Sequence, residues 1–233
     1  MNEHTFKQYD QELERLRTTL LQMGGAVEQQ ITSAIEAFVE GDMLLVNQVL
    51  RREAEINKFE TDLDDACTNF IARLQPAAYD LRMVLTVGKM NRDLERVGDE
   101  AEKIARNAKM IHDGGRTNMP RVEIAHLAEA ATNMLRKSLN AFARLDPLEA
   151  AEVIREDLAL DDEFSSVFRQ LVTFMMEDPR TISRSIDLLF IAKALERIGD
   201  HAKNMSEQVV YLVKGRDVRH QAVDDVEITA REG

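Results

Sequence analysis

Val87, Met90, Leu94, Val97, Ala101, Ile104, Ala108 and Ile111 follow one another at alternating steps of three and four residues, and Leu188, Ile191, Leu195, Ile198, Ala202, Met205, Val209 and Leu212 repeat the same steps. Such a run keeps its apolar side chains on one face of an α-helix for several turns. In a strand, where side chains alternate, it would scatter them over both faces. Composition agrees with helices. The 233 residues contain only 10 Gly and 4 Pro, fewer turn residues than a sheet protein of this size uses, and aromatics are 5% with no Trp. Leu, Ala, Met and Glu, all good helix formers, are abundant. The fold class expected is all-α. A chain of this length buries a core without needing a metal or disulfide to fold.

Breaks in the pattern divide the chain into six long helices. The first runs from about Thr5 to Glu40 and stops at Gly41-Asp42; Asp42 caps the second, which runs to about Gln75 before Pro76. The third ends near Asp113. The segment from Gly114 to Pro120 reads as the linker, and the fourth helix runs from Pro120 to about Leu145. Asp146-Pro147 and Asp178-Pro179 each place a capping carboxylate before a proline at the first helical position, opening the fifth and sixth helices. The sixth ends near Gly215. Residues 216–233 read as a polar, frayed tail.

The halves repeat each other. Leu94-Glu95-Arg96-Val97-Gly98-Asp99 returns as Leu195-Glu196-Arg197-Ile198-Gly199-Asp200 at an offset of 101. In the second and fifth helices, Val49, Glu53, Ile56, Glu60, Leu63, Cys67 and Phe70 match Val153, Asp157, Leu160, Phe164, Val167, Leu171 and Phe174 at an offset of 104. Ala37-Phe38 matches Ala141-Phe142. The architecture expected is two tandem, pseudo-symmetric three-helix bundles, residues 5–113 and 120–215, followed by the tail at 216–233.

Charge narrows the function. With 30 Lys and Arg against 42 Asp and Glu, the net charge is −12. Nucleic acid, which demands a basic face, is not an expected partner. No uncharged run approaches membrane-spanning length and the N-terminus carries no leader pattern, so no direct membrane insertion is expected. A single cysteine, Cys67, allows no internal disulfide, which fits a reducing, cytoplasmic setting. No glycine-rich phosphate loop or nucleophile elbow occurs, and no organic cofactor is expected.

Carboxylates fall at matching places. Glu53 and Asp157 occupy seam positions, where a bare charge is costly. One turn later stand Asn57 and Asp161. Glu95 with Asp99, and Glu196 with Asp200, are acid pairs four residues apart, a spacing at which like charges repel. Gly98 and Gly199 lie inside long helices, which implies close approach of another helix or of a ligand. If the helices turn back at Pro76 and at Asp178-Pro179, Glu53 levels with Asp99, Asn57 with Glu95, Asp157 with Asp200 and Asp161 with Glu196. Oxygen donors gathered in this way suit Mg²⁺, Mn²⁺ or iron. The alternative is a solvated face salt-bridged to Arg92, Lys103, Arg106, Lys193 and Lys203. If metal binds, the four carboxylates of the second half should bind it more tightly than three and an amide. His126 reads as a surface residue, His201 as a solvated histidine or a further ligand, and Cys67 as core.

The duplicated motif, with Asp178-Pro179-Arg180 leading to Ala194 through Asn204 and Pro76 leading through Asp80-Leu81-Arg82 to the first copy, resembles the PhoU family of phosphate transport accessory and regulatory proteins. The resemblance covers about residues 10–215. It implies two three-helix repeats and no catalysis. It implies a negative regulator of the phosphate-starvation response, set between the phosphate ABC transporter ATPase and a sensor histidine kinase, also modulating uptake. Such a regulator sits on the cytoplasmic face of the membrane through its partners. It further implies surface metal clusters on Glu95, Asp99, Glu196, Asp200, Asp157 and Asp161, with Glu53 and Asn57 departing from the pattern at the asparagine. A homodimer is expected from the long amphipathic helices. The competing reading is a di-metal helical-bundle enzyme, phosphatase-like, which requires an open metal position and a general acid or base.

Overall fold

The apolar seams are where the chain closes. In a computed structural model that describes residues 2–113, 120 and 122–232, the third helix (α3, Ala78–Asp113) and the sixth (α6, Ile182–Lys214) bury all sixteen seam residues at no more than 1% exposure. Around them lie α1 (Asn2–Glu40), α2 (Met43–Leu74), α4 (Ala125–Arg144) and α5 (Pro147–Glu177). Among the described residues every regular element is helical. The helices α1, α2 and α3 pack on one another, as do α4, α5 and α6, and α3 lies along α6. Polar contacts give the direction of that last pair. Lys89 Nζ donates to Gln208 at 3.1 Å, His201 Nδ1 lies 2.9 Å from Asp93, and Arg197 Nε lies 3.2 Å from Glu100. As one index rises the other falls, so α3 and α6 are antiparallel. The buried side chains of both halves form one continuous core.

The caps are those the sequence marks. The Asp42 carboxylate accepts from the Leu44 N–H at 2.7 Å, and that of Asp146 from Leu148 and Glu149 at 3.0 and 3.1 Å. Asp178 accepts from the Arg180 N–H at 3.0 Å and takes the same residue's guanidinium, which holds its carboxyl below the usual range. Proline 179 opens a short 3-10 turn, 179–181, and α6 begins only at Ile182.

The start of α4 and the tail differ from expectation. Helix α4 begins at Ala125 rather than Pro120. Pro120 and Ile124 are buried outside it, so this stretch reaches the core without winding, and Ile124 offers no side-chain cap. The expected linker, apart from Pro120, lies outside the described residues. Among the described residues the α-helices number seven, not six. Within the expected frayed tail, Val223–Arg231 forms α7, which packs on α5. It buries Val226, Thr229 and Ala230, and Arg155 of α5 clamps it through Glu227 and, at 2.7 Å, Asp224. A nine-residue helix is marginal alone and gains its stability from such packing. No helix among the described residues is long and apolar enough to cross a membrane.

Candidate functional site: two acidic groups between paired helices

The α2–α3 and α5–α6 hairpins each bring the expected carboxylates together. In the first, Glu53 is buried and its Oε2 accepts from Gln30 Nε2 of α1 at 3.0 Å. Burial raises the Glu53 pKa; Gln30 opposes this, Asp99 and Glu102 add to it, and Asn57 opposes it. Glu95 is likewise raised, by burial and then by Asp99, against Arg96, whose Nε lies 3.3 Å from Glu95 Oε2. Asp99 meets the same guanidinium at 3.5 Å. Asn57 is exposed. Three buried oxygens here lack a hydrogen-bond donor: Gln30 Oε1, Glu53 Oε1 and Glu95 Oε2.

In the second hairpin Asp157 is 1% exposed, and its Oδ2 lies 2.5 Å from Lys203 Nζ. Asp157 Oδ1 has no donor. Glu196 is also buried and holds Lys193 at 2.5 Å. Lys193 lies over the Phe164 ring, 5.3 Å from its centroid. Burial raises the pKa of Asp200, and Glu196 and Asp157 raise it further; Lys193 opposes them. Asp161, exposed at the rim, is raised by partial burial and then by Asp157 and Glu196, against Lys203 and Lys193.

The motif glycines serve helix approach. A Cβ on Gly199 would stand 2.1 Å from Leu160 Cδ2, and one on Gly98 would stand 3.3 Å from Ile56 Cγ2 and 3.4 Å from Gln30 Oε1. Ile56 and Leu160 are matching positions of the repeat. Each glycine therefore lets α2 or α5 close on its partner and seats the carboxylate one turn away.

Glu53, Asp157 and Glu196 are not on a solvated face, although Asp161 stays exposed at the rim. A helical wheel drawn about one seam puts Glu95 and Glu196 opposite the core, but α3 and α6 are each packed from three sides, so the wheel's outer face becomes an inter-helix groove. Sequence reasoning placed Lys193 and Lys203 beside this face and missed that Lys203 enters it to meet Asp157, while Lys193 stays exposed and holds Glu196 at its edge. It missed Gln30 and Glu102 altogether. The signal for Lys203 is in the repeat, since position 203 matches 102, a glutamate. His126 is exposed with Nδ1 3.2 Å from Glu163, and His201 is half-buried against Asp93, so neither joins the acids. Cys67 is buried, and burial followed by Asp64 pushes its thiol up to about 12.

The two groups fit a metal ion unequally. The first offers carboxylate and amide oxygens, of which Gln30 Oε1 and Glu53 Oε1 are buried without a donor, and its one cation among the described residues is the exposed Arg96 guanidinium, on Glu95 and Asp99; such oxygens suit a hard cation. The second already contains two ammonium groups and does not fit one. Among the described residues, no three carboxylate, imidazole or thiol groups converge as a ready-made cage.

The PhoU domain matches residues 20–108 and again 124–209, one copy in each half. A phosphate-specific transport system accessory protein PhoU homolog of Pseudomonas putida is 45% identical over 96% of this chain and 87% of its own length. The phosphate-specific transport system accessory protein PhoU of Escherichia coli is 41% identical over 97% of this chain and 94% of its own. The crystal structure of PhoU from Pseudomonas aeruginosa superposes with a TM-score of 0.86 at 43% identity, over 89% of this chain and all of that one. That of the phosphate transport system regulatory protein PhoU from Streptococcus pneumoniae gives 0.83 at 25%, over 90% and 99%.

Proposed function

The chain belongs to the PhoU family, and from that membership we propose that it is a phosphate-transport accessory protein and a negative regulator of the phosphate-starvation response. The observation that carries this reading is the pair of PhoU domain matches, which together span both halves. The protein acts without catalysis of its own, as an adaptor on the cytoplasmic face of the membrane. It contacts the ATPase of a phosphate ABC transporter and the sensory region of a histidine kinase. A transporter that changes conformation changes its affinity for the adaptor, and the linked equilibrium changes kinase output. Its two repeats, 5–113 and 120–215, are related by pseudo-symmetry, so that Glu95 superposes on Glu196 and Gly98 on Gly199. Ile182, Ile186 and Phe190 form an exposed apolar row at four-residue steps on α6, which supports a protein-binding surface or a homodimer contact.

A divalent ion, Mg²⁺, Mn²⁺ or Fe²⁺, belongs to the first acidic group in this reading, on Glu53, Asn57, Glu95 and Asp99, where it would neutralise carboxylates that otherwise repel. Deleting the gene should switch on a phosphate-starvation reporter in high phosphate. A reporter that stays silent in the deletion strain overturns the regulatory assignment.

A further inference from the structure

The two acidic groups differ most at one pair of matching positions, Glu102 and Lys203. Glu102 adds a negative charge that acts on Glu53. Lys203 instead reaches across from α6 to α5 and places its ammonium 2.5 Å from the Asp157 carboxylate. The α1 and α4 positions change in step. Gln30 donates to Glu53, while the matching Met134 offers Asp157 no hydrogen bond and packs with its Cε 3.6 Å from a Cβ built on Gly199. Asp157 thus loses a neutral donor and gains a charged one. At the other end of the group Lys193 holds Glu196 at 2.5 Å, so two cations face Asp157, Asp161, Glu196 and Asp200.

We propose that Lys203 is the resident cation of the second acidic group, that it does there the electrostatic work of a metal ion, and that the second group consequently takes no divalent ion while Lys203 is present. An ammonium is a compact point charge with three donors, able to occupy a carboxylate cluster much as an ion does. A metal ion taking the free Asp157 Oδ1 would share its carboxylate with the Lys203 ammonium already on Oδ2, and the two cations would repel each other. The inference rests on the metal reading of the first group only for its contrast.

Equilibrium dialysis of the full chain against Mn²⁺ tests it, with helicity and melting followed in chelator and in Mn²⁺. The unaltered chain should bind as much Mn²⁺ as Asp200→Asn does. Lys203→Gln should bind one further equivalent, lost again when Asp200→Asn is added, and Mn²⁺ should raise its Tm more than that of the unaltered chain. A Lys203→Gln chain that folds only with Mn²⁺ supports the proposal equally, since the ion has replaced the ammonium. The proposal is overturned if Lys203→Gln gains no Mn²⁺, if it folds in neither condition, or if Asp200→Asn lowers binding by the unaltered chain. An unaltered chain that binds none, beside a Lys203→Gln chain that gains an equivalent, upholds the inference and removes the first-group metal. Binding by the unaltered chain with no gain in Lys203→Gln does the reverse.

Discussion

Glu53 and Asp157 stand at matching positions and face the same problem, a carboxylate at a core seam, yet the two halves resolve it differently. The first half uses an amide, Gln30, and leaves Glu53 beside Asp99 and Glu102; the second uses an ammonium, Lys203. A neutral donor satisfies one lone pair without cancelling the charge. A cation cancels it, but then each member of the pair depends on the other. Duplication conserved the place of the carboxylate and left its partner free to change.

The largest expected effect follows from that dependence. Lys203→Met should destabilise the protein by about 3 kcal/mol, the low end for breaking a buried pair, because it strands Asp157. The low end applies because the lysine side chain keeps 32% of its surface in water while Asp157 keeps 2%. Gln30→Ala should cost less, about 1–2 kcal/mol, since it removes a neutral donor from Glu53, which can take up a proton instead. Urea denaturation of the two variants checks the ranking. Equal losses would mean that the halves bury their carboxylates in the same way after all.

The motif glycines sharpen the comparison at smaller scale. Gly199→Ala should destabilise by about 1 kcal/mol, because its Cβ collides with a methyl of buried Leu160, and overpacking outweighs the helix propensity gained. Gly98→Ala should be near neutral. Its nearest contact, 3.3 Å to Ile56, is relieved by a small shift, and removing an interior glycine returns up to about 1 kcal/mol. Thermal melts of the two variants should therefore separate in this order. A Gly98→Ala loss as large as that of Gly199→Ala would mean that the helices approach as tightly in the first half as in the second.

What was legible in the sequence was whatever depends on one helix at a time. The seam of α3 is fully buried as the three-four spacing requires, and Asp42 and Asp146 cap the helices that follow them, while Asp178 caps only the 3-10 turn before α6. Pairings across helices were legible only to the level of a turn. Counting back from the hairpin turns set Glu53 near Asp99 and Asp157 near Asp200, and the couplings agree. It could not say that Lys203 turns inward, because that depends on the angle at which α6 meets α5. For the same reason the expectation of tighter metal binding in the second half loses its premise: its four carboxylates come with two lysines. Helix α7 was illegible because its short apolar set, Val226 and Ala230, becomes a helix face only against α5.

The last expected effect lies in the pH dependence of the first group. The Glu53 pKa is raised from the ordinary 4.5, burial being the main cause. The folded state therefore binds the proton more tightly than the unfolded chain does. Between the unfolded and the folded pKa the native state holds more protons, so stability falls as pH rises through that window. Below it Glu53 is protonated in both states and carries no penalty; above it the penalty is complete. Asp178 and Asp217, held low by Arg180 and Arg219, act with the opposite sign at lower pH, so the raw profile mixes both. The difference between the unaltered chain and Glu53→Gln isolates the first group. That variant should keep the contact with Gln30 and remove the repulsion from Asp99 and Glu102. Its advantage over the unaltered chain should be greater at pH 7 than at pH 4, because the penalty on the ionised Glu53 is present only above its folded pKa. Urea midpoints at the two pH values measure it. An advantage that shrinks as pH rises would mean that the Glu53 carboxylate is stabilised in the fold, and that the first half, like the second, has its charge already answered.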